Sequence, residues 1–444
     1  MSAKIKTEVV RKEYEEFEKD KLLDKVVDLV LENEKLKNKL KKYENPHTPS
    51  SKKKFDKPQA EGLKVGRKPG TRPNQNGATR EIEKPKIIIW VETDKNPSTG
   101  NKNIKFTGQH QERLIVDFEI NKTVKLYKIK EYIDLDTGDV FLASHKDIPK
   151  KGIFGKNILA LTNILHFENR VTFAGIANIF TNVFNISMTT PTALDISNRV
   201  SENLEENYKK LGKEIKTSDV VNADETSSNQ NGKPEWLWGF FTATIVFFVF
   251  FAQRGGDILE NVLGQDFNGI IGCDGWLTYK SFSEKYGVLL QRCWAHLIRE
   301  VKHVCEGKKD LEFAHIWMKE IFNNVKKSRE IESEELRKEK YFLLIKELDR
   351  WTQVCQSYKE LRPLVTYIKN GREFWFTCIL HPEIDPTNNV AESRIRKFVI
   401  LEKIMGCLRS EQGKQTTQIM LSLIGTWKQQ GLNPYKTLVD LISA

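Results

Sequence analysis

Cysteine is scarce in this chain of 444 residues: six are present and none forms a Cys-x-x-Cys pair. A chain this long is no disulfide-stapled secreted domain, so the thiols fit a reducing cytosol. A long apolar run is also missing. The most apolar stretch, residues 236–252 (WLWGFFTATIVFFVFFA), falls short of the roughly 20 residues that a spanning helix needs. Its Phe, Val, Ile and Thr content reads as two buried strands. The start, MSAKIKTEVVRKEYEEFEKD, is charged throughout and lacks the apolar centre of a signal peptide, so a cytoplasmic protein with no membrane partner is expected. Acidic residues are in deficit as well, with 60 Asp and Glu against 71 Lys and Arg, a net charge of +11. Such an excess favours a polyanionic partner such as nucleic acid or an anionic membrane surface.

The length implies several modules, roughly one per 100–200 residues. Within residues 1–44, Leu22, Val26, Leu29, Asn33, Leu36, Leu40 and Tyr43 recur at steps of four and three, an apolar seam down one side of a helix. As a short coiled coil it places Asn33 at a core position that commonly fixes a two-stranded state. An amphipathic helix packed within its own chain fits the seam equally. Residues 45–84 read as a flexible basic linker with little to bury. Nine Lys or Arg face only Asp56 and Glu61 between residues 52 and 80. Lys52, Lys53, Lys54, Arg67, Lys68 and Arg72 are the candidate DNA contacts, to phosphates or, for Arg67 and Lys68, in a narrow minor groove. A linker that only solubilises is the duller alternative.

Short alternating or β-branched runs (IIIWVE, RLIVDFEI, VKLYKIKEYIDL, DVFLAS), separated by turns such as DTGD, predict a small β-rich module over residues 85–150. Residues 151–215 turn helical, and VTFAGIANIFTNVF followed by SMTTPTALDISNRVSENL reads as a helix-turn-helix whose second helix fits a major groove. Two bundle helices without a DNA role fit too, because no base-reading side chain stands out.

Three carboxylates in unlike settings carry the chemistry expected of residues 216–410. Asp224 (NADET) and Asp274 (GIIGCDGW) end strand-like runs. Strand periodicity sends the neighbouring Glu225 to the face opposite Asp224, so only one of the two can enter a shared site, and Asp224 is chosen. Glu392 follows Asp385 and Pro386, which suit a helix N-cap and first turn, and Asn388, Asn389 and Arg396 share its helical face. Alone, Asp274 is an Asp-Gly turn and Glu392 an exposed pair with Arg396. Together, two aspartates and a glutamate match the oxygen ligands that hard Mg²⁺ or Mn²⁺ prefers, in the pattern of a two-metal nuclease core. Asn388, Asn389 and His296 are auxiliary candidates. Cys293, His296, His303 and Cys305 have zinc-ligand composition at a spacing that matches no common finger, so no zinc is expected.

The strings NADETSSNQNGKPEWLWGF, GCDGWLTYKSF, QRCWAHLIREVK and DPTNNVAESRIRKFVILEKIMG, with HTPSSKKK, GRKPGTRP and KKGIFGKNILAL in the same order, resemble the transposases of the insertion sequence 66 family. The resemblance covers most of the chain. It implies an α/β catalytic core with a ribonuclease H-like mixed sheet flanked by helices, in which Asp224, Asp274 and Glu392 match the family's DDE acids. It implies two Mg²⁺ or Mn²⁺ ions, cleavage at the ends of an insertion sequence and joining of 3′-hydroxyl ends to target DNA. It also implies a homodimer or higher oligomer, accessory element-encoded proteins, and a prokaryotic, nucleoid-associated location. Charged helical sequence over residues 306–373 would be an insertion before the last acid, and residues 411–444 would form C-terminal helices. Relatives often carry paired cysteines of a zinc-ribbon-like module, whereas residues 84–150 contain none. Two other readings suit the same residues, a DNA-binding regulator that has lost catalysis and a standalone ribonuclease H-like nuclease that cuts without joining.

Overall fold

A computed structural model describes residues 87–149, 151–252, 254–255 and 257–443. The helical seam of residues 1–44 and the basic linker lie outside these. The chain divides into two units, Met1–Ile115 and Val116–Ala444. In the first, residues 87–115 form no helix or strand; the Asn96 carboxamide accepts from the N–H groups of Ser98 and Thr99, and Trp90 meets His110 edge-on at 5.1 Å.

The β-rich reading of residues 85–150 is reduced to one hairpin, β1 (Glu131–Ile133) with β2 (Val140–Leu142), in the second unit. Its turn is the DTGD segment: Asp134 accepts from the N–H groups of Asp136 and Thr137, and Gly138 takes φ +76°. IIIWVE and RLIVDFEI pair with nothing among the described residues, and Ile87, Ile88, Ile89, Ile115 and Val116 are exposed. Alternation specifies a face to bury, not the partner that buries it.

Four helices follow: α1 (Lys156–Asn163), continued by a π-helical turn, α2 (Phe173–Asn182), α3 (Thr190–Asn203) and α4 (Glu205–Lys216). Thr172 and Thr189 cap α2 and α3, accepting from Gly175 N–H and Thr192 N–H, which fixes two helices with a connector between them.

The sheet comes next. β3 (Val220–Gln230) turns through Asn231 and Gly232, both at positive φ, into β4 (Lys233–Phe241), and β5 (Val246–Phe251) completes an antiparallel meander. β4 and β5 are the two strands expected of residues 236–252. β6 (Ile270–Cys273) and β7 (Leu289–Arg292) add parallel to β3, giving a mixed five-stranded sheet in the order β5-β4-β3-β6-β7. α5 (Asp257–Leu263) and α6 (Leu277–Tyr286) connect these strands. Asp224 does not end its strand; β3 runs six residues past it because the Asn-Gly hairpin carries the pairing on.

After β7 come α7 (Trp294–Cys305), α8 (Glu312–Arg329), α9 (Glu334–Cys355), α10 (Arg362–Lys369) and the short α11 (Thr377–Leu380). They enclose a second apolar core around Trp294, Trp351, Trp375 and Phe376. α12 (Asn389–Met405), α13 (Glu411–Gln429) and α14 (Pro434–Ser443) end the described chain.

The β5 edge is closed by side chains, and the β7 edge meets the start of α11. Along β5, the N–H groups of Val246, Phe248 and Phe250 donate to Thr426, Ser422 and Gln418 of α13, at 3.0, 2.8 and 3.1 Å. Along β7, Gln291 accepts from Cys378 N–H at 2.7 Å and Thr377 donates to Leu290 C=O at 2.5 Å. On β5, N–H groups that would otherwise invite another strand are thereby satisfied. Among the described residues no helix is long and apolar enough to cross a membrane.

Candidate active site

Asp224 lies in the central strand β3, Asp274 follows the last residue of its parallel neighbour β6, and Glu392 sits one turn into α12. What joins these elements is Asn388, which is buried at the start of α12. Its amide donates to Ala223 C=O at 2.7 Å, its carbonyl accepts from the Asn222 amide at 3.0 Å, and its backbone N–H reaches Cys293 Sγ at 3.1 Å. A fourth tie runs from Trp294 N–H to Pro386 C=O at 3.0 Å, while Cys293 N–H bonds Cys273 C=O at 2.9 Å. The starts of α7 and α12 are therefore pinned to the two strands that lead to the aspartates.

Asp224 is half-buried, and burial lifts its carboxyl to about 7, with the charges of Glu225, Asp274 and Glu392 adding to the rise and the Glu225 N–H opposing it. Three other carboxylates act on one side chain. Asp274 accepts from Trp276 N–H at 2.9 Å. Glu392 accepts from Arg299 Nη2 at 2.9 Å and stands 3.5 Å from His296 Nδ1. Its expected partner Arg396 is exposed, and the ion pair is tertiary rather than intrahelical.

The helix of Glu392 begins at Asn389, not at Asp385 or Pro386. Asp385 instead accepts from Thr387 N–H and Thr387 Oγ1, a local turn that holds the chain short of helix. The two asparagines also part ways: Asn388 is buried and fully engaged, whereas Asn389 is exposed. His296 is half-buried on the first turn of α7. Of the residues with zinc-ligand composition, Cys293 and His296 are brought together with Glu392, their ligand atoms within 4.8 Å of one another; His303 and Cys305 are not in that group. Lys52, Lys53, Lys54, Arg67, Lys68 and Arg72 lie outside the described residues.

Glu225 occupies the other face of β3, as strand alternation requires. Its side chain is 1% exposed, ion-paired to Arg254 at 2.6 Å and hydrogen-bonded by Tyr279 at 2.8 Å. Burial, with help from Asp274, raises its carboxyl, and Arg254 and Tyr279 pull it back. The Arg254 guanidinium lies over the indoles of Trp236 and Trp276. Arg254, Tyr279 and Arg299 were not foreseeable, because each reaches its acid through tertiary folding and no sequence spacing announces it.

The family model described as Transposase IS66 family matches residues 151–416, a span that holds all three acids. The chain belongs to this family. The match covers the helices after residue 151, the five-stranded sheet and helices α7 to α12. The chain is also similar to an uncharacterized protein, y4qI, of Sinorhizobium fredii, 24% identical over 260 residues, covering 52% of this chain and 48% of the relative. The chain thus spans about half the length of that curated relative. In this IS66-family chain the mixed sheet flanked by helices fits a DDE-type core.

Proposed function

We propose that this IS66-family chain is a DNA transposase with a ribonuclease H-like core, in which Asp224, Asp274 and Glu392 serve cleavage at an element's ends and transfer of the 3′-hydroxyl ends to target DNA. The observation that supports this reading is the crowding of negative charge on Asp224 by Glu225, Asp274 and Glu392. A carboxyl under that load suits a divalent cation, and oxygen donors suit Mg²⁺ or Mn²⁺. Two such ions, when bound, would activate the attacking oxygen and stabilise the leaving one.

The protein's own groups supply placement. Asn388 fixes the start of α12 against β3, which holds the helix of Glu392 beside the strand of Asp224. Arg299 and His296 face Glu392 and restrain its carboxylate before DNA enters. Glu225, neutralised by Arg254 on the far face, braces β3 rather than joining the reaction. The helices α2 and α3 and the basic linker are the proposed DNA-binding parts, in a homodimer or larger assembly that holds two ends, with accessory proteins of the element as further partners.

The test is strand cleavage and joining by the purified full chain on DNA carrying element ends with Mg²⁺. The wild type should nick and join, and Asp224→Ala should do neither; a variant that still does both overturns the assignment. Cleavage without joining of precleaved ends would identify a nuclease, and DNA binding without Mg²⁺-dependent cutting a regulator.

A further inference from the structure

Cys293 is the last residue before α7 and His296 lies on that helix's first turn, so a Cys-x-x-His pair faces the side chain that α12 presents, Glu392. The sulfur, the imidazole Nδ1 and a carboxylate oxygen all lie within 4.8 Å of one another. His296 Nδ1 is buried, makes no hydrogen bond and stands 3.5 Å from the Glu392 oxygen, a polar atom aimed into the cluster. Cys293 Sγ already accepts from Asn388 N–H at 3.1 Å, which opposes the upward push that burial gives the thiol.

We propose that Cys293, His296 and Glu392 form a binding site for one zinc-like transition-metal ion, separate in chemistry from the Mg²⁺ role given to the acids. Thiolate and imidazole select Zn²⁺ or Co²⁺ over Mg²⁺, which demands octahedral oxygen. Tetrahedral zinc bonds of about 2.0–2.3 Å place ligand atoms roughly 3.3–3.8 Å apart, so the three groups need to close by only about an ångström. Three protein ligands leave a fourth position for water. Arg299 now holds the Glu392 carboxylate at 2.9 Å from an exposed position, a contact weak enough for a metal to displace. The ion would take Glu392 away from the aspartates, so zinc inhibits Mg²⁺-dependent cleavage. That consequence rests on the function proposed above, whereas binding does not.

The experiment is a Co²⁺ titration of the full chain, stripped of metal and kept reduced. A sulfur-to-cobalt charge-transfer band saturating at one ion per chain is expected. Cys293→Ser should abolish the band, and Cys407→Ser should keep it, since Cys293 is the cysteine that the cluster holds. His296→Ala, at a half-buried position, should weaken binding by about tenfold or more even if Cys293→Ser fails to fold. Zn²⁺ should bleach the spectrum and excess Mg²⁺ should not. A missing band, a band that survives Cys293→Ser, or Mg²⁺ displacement overturns the site. Zinc that binds by this readout yet leaves cleavage by the wild type unchanged overturns the inhibition alone. Loss of all cleavage with an intact cobalt spectrum counts against the transposase reading and not against the metal site.

Discussion

The carboxylate of Asp224 is the residue on which the proposed site turns, because burial and three like charges act on it together. Without a counter-ion that crowding costs stability, and a divalent cation relieves it. Asp224→Asn should therefore stabilise the protein in chelator, by about 1–3 kcal/mol. Added Mg²⁺ should raise the melting temperature of the wild type and leave the variant nearly unmoved. A wild type that melts identically with and without Mg²⁺ would contradict this. A second buried group gives a pH dependence away from the acids. His166 donates from Nδ1 to Val171 C=O at 2.8 Å and stacks on Phe173 at 3.9 Å; burial lowers its imidazole to about 4. The folded value lies below the unfolded 6.5, so the unfolded chain takes up the proton first. Stability is whole above about 6.5 and declines as pH falls toward 4, with about 2 kcal/mol gone by pH 5. Urea midpoints at pH 7.5 and 5 should show that loss in the wild type and a smaller one in His166→Gln.

At the scale of elements, the inserted helices press on the loop of the second aspartate. A Cβ at Gly275, the residue after Asp274, would overlap the ring and hydroxyl of Tyr367 on α10. Gly275→Ala should cost about 1–3 kcal/mol by overpacking and lower cleavage by moving Asp274. Tyr367→Ala in the same chain should recover part of both, a coupling measurable as a double-mutant cycle. Additive melting shifts would mean the insertion does not set the loop. This contact was not legible in the sequence, whereas much around it was. The apolar runs before Asp224 and Asp274 announced strands because β-branched residues alternate or cluster there, and the face of Glu225 followed from strand geometry alone. The helix carrying Glu392 was legible, but its start was misread, since the Asp385 turn competes with a helical cap using the same residue types. Segment 85–150 was misread for a deeper reason: alternation such as that of RLIVDFEI states a local preference, and pairing depends on a partner the sequence does not name. Arg299 and Arg254 escaped for the same cause.

For the molecule as a whole, the question is where its positive charge acts. The net charge is +11, and residues 52–80 hold nine Lys or Arg against two acids. DNA affinity comes mainly from phosphate contacts made by Lys and Arg, so the basic stretch is where that charge is proposed to act. A basic linker binding phosphates releases counterions, and each lost contact should flatten the dependence of log affinity on log salt by about 0.9. Replacing Lys52, Lys53, Lys54, Arg67, Lys68 and Arg72 by Ser should then lower the slope by up to about 5 and weaken binding equally on end-containing and unrelated DNA. Fluorescence anisotropy over a salt series measures both. A slope that stays at the wild-type value would show that the linker only solubilises the chain. A loss confined to end-containing DNA would instead move sequence reading from the helices α2 and α3 to Arg67 and Lys68, because phosphate contacts alone do not distinguish one duplex from another.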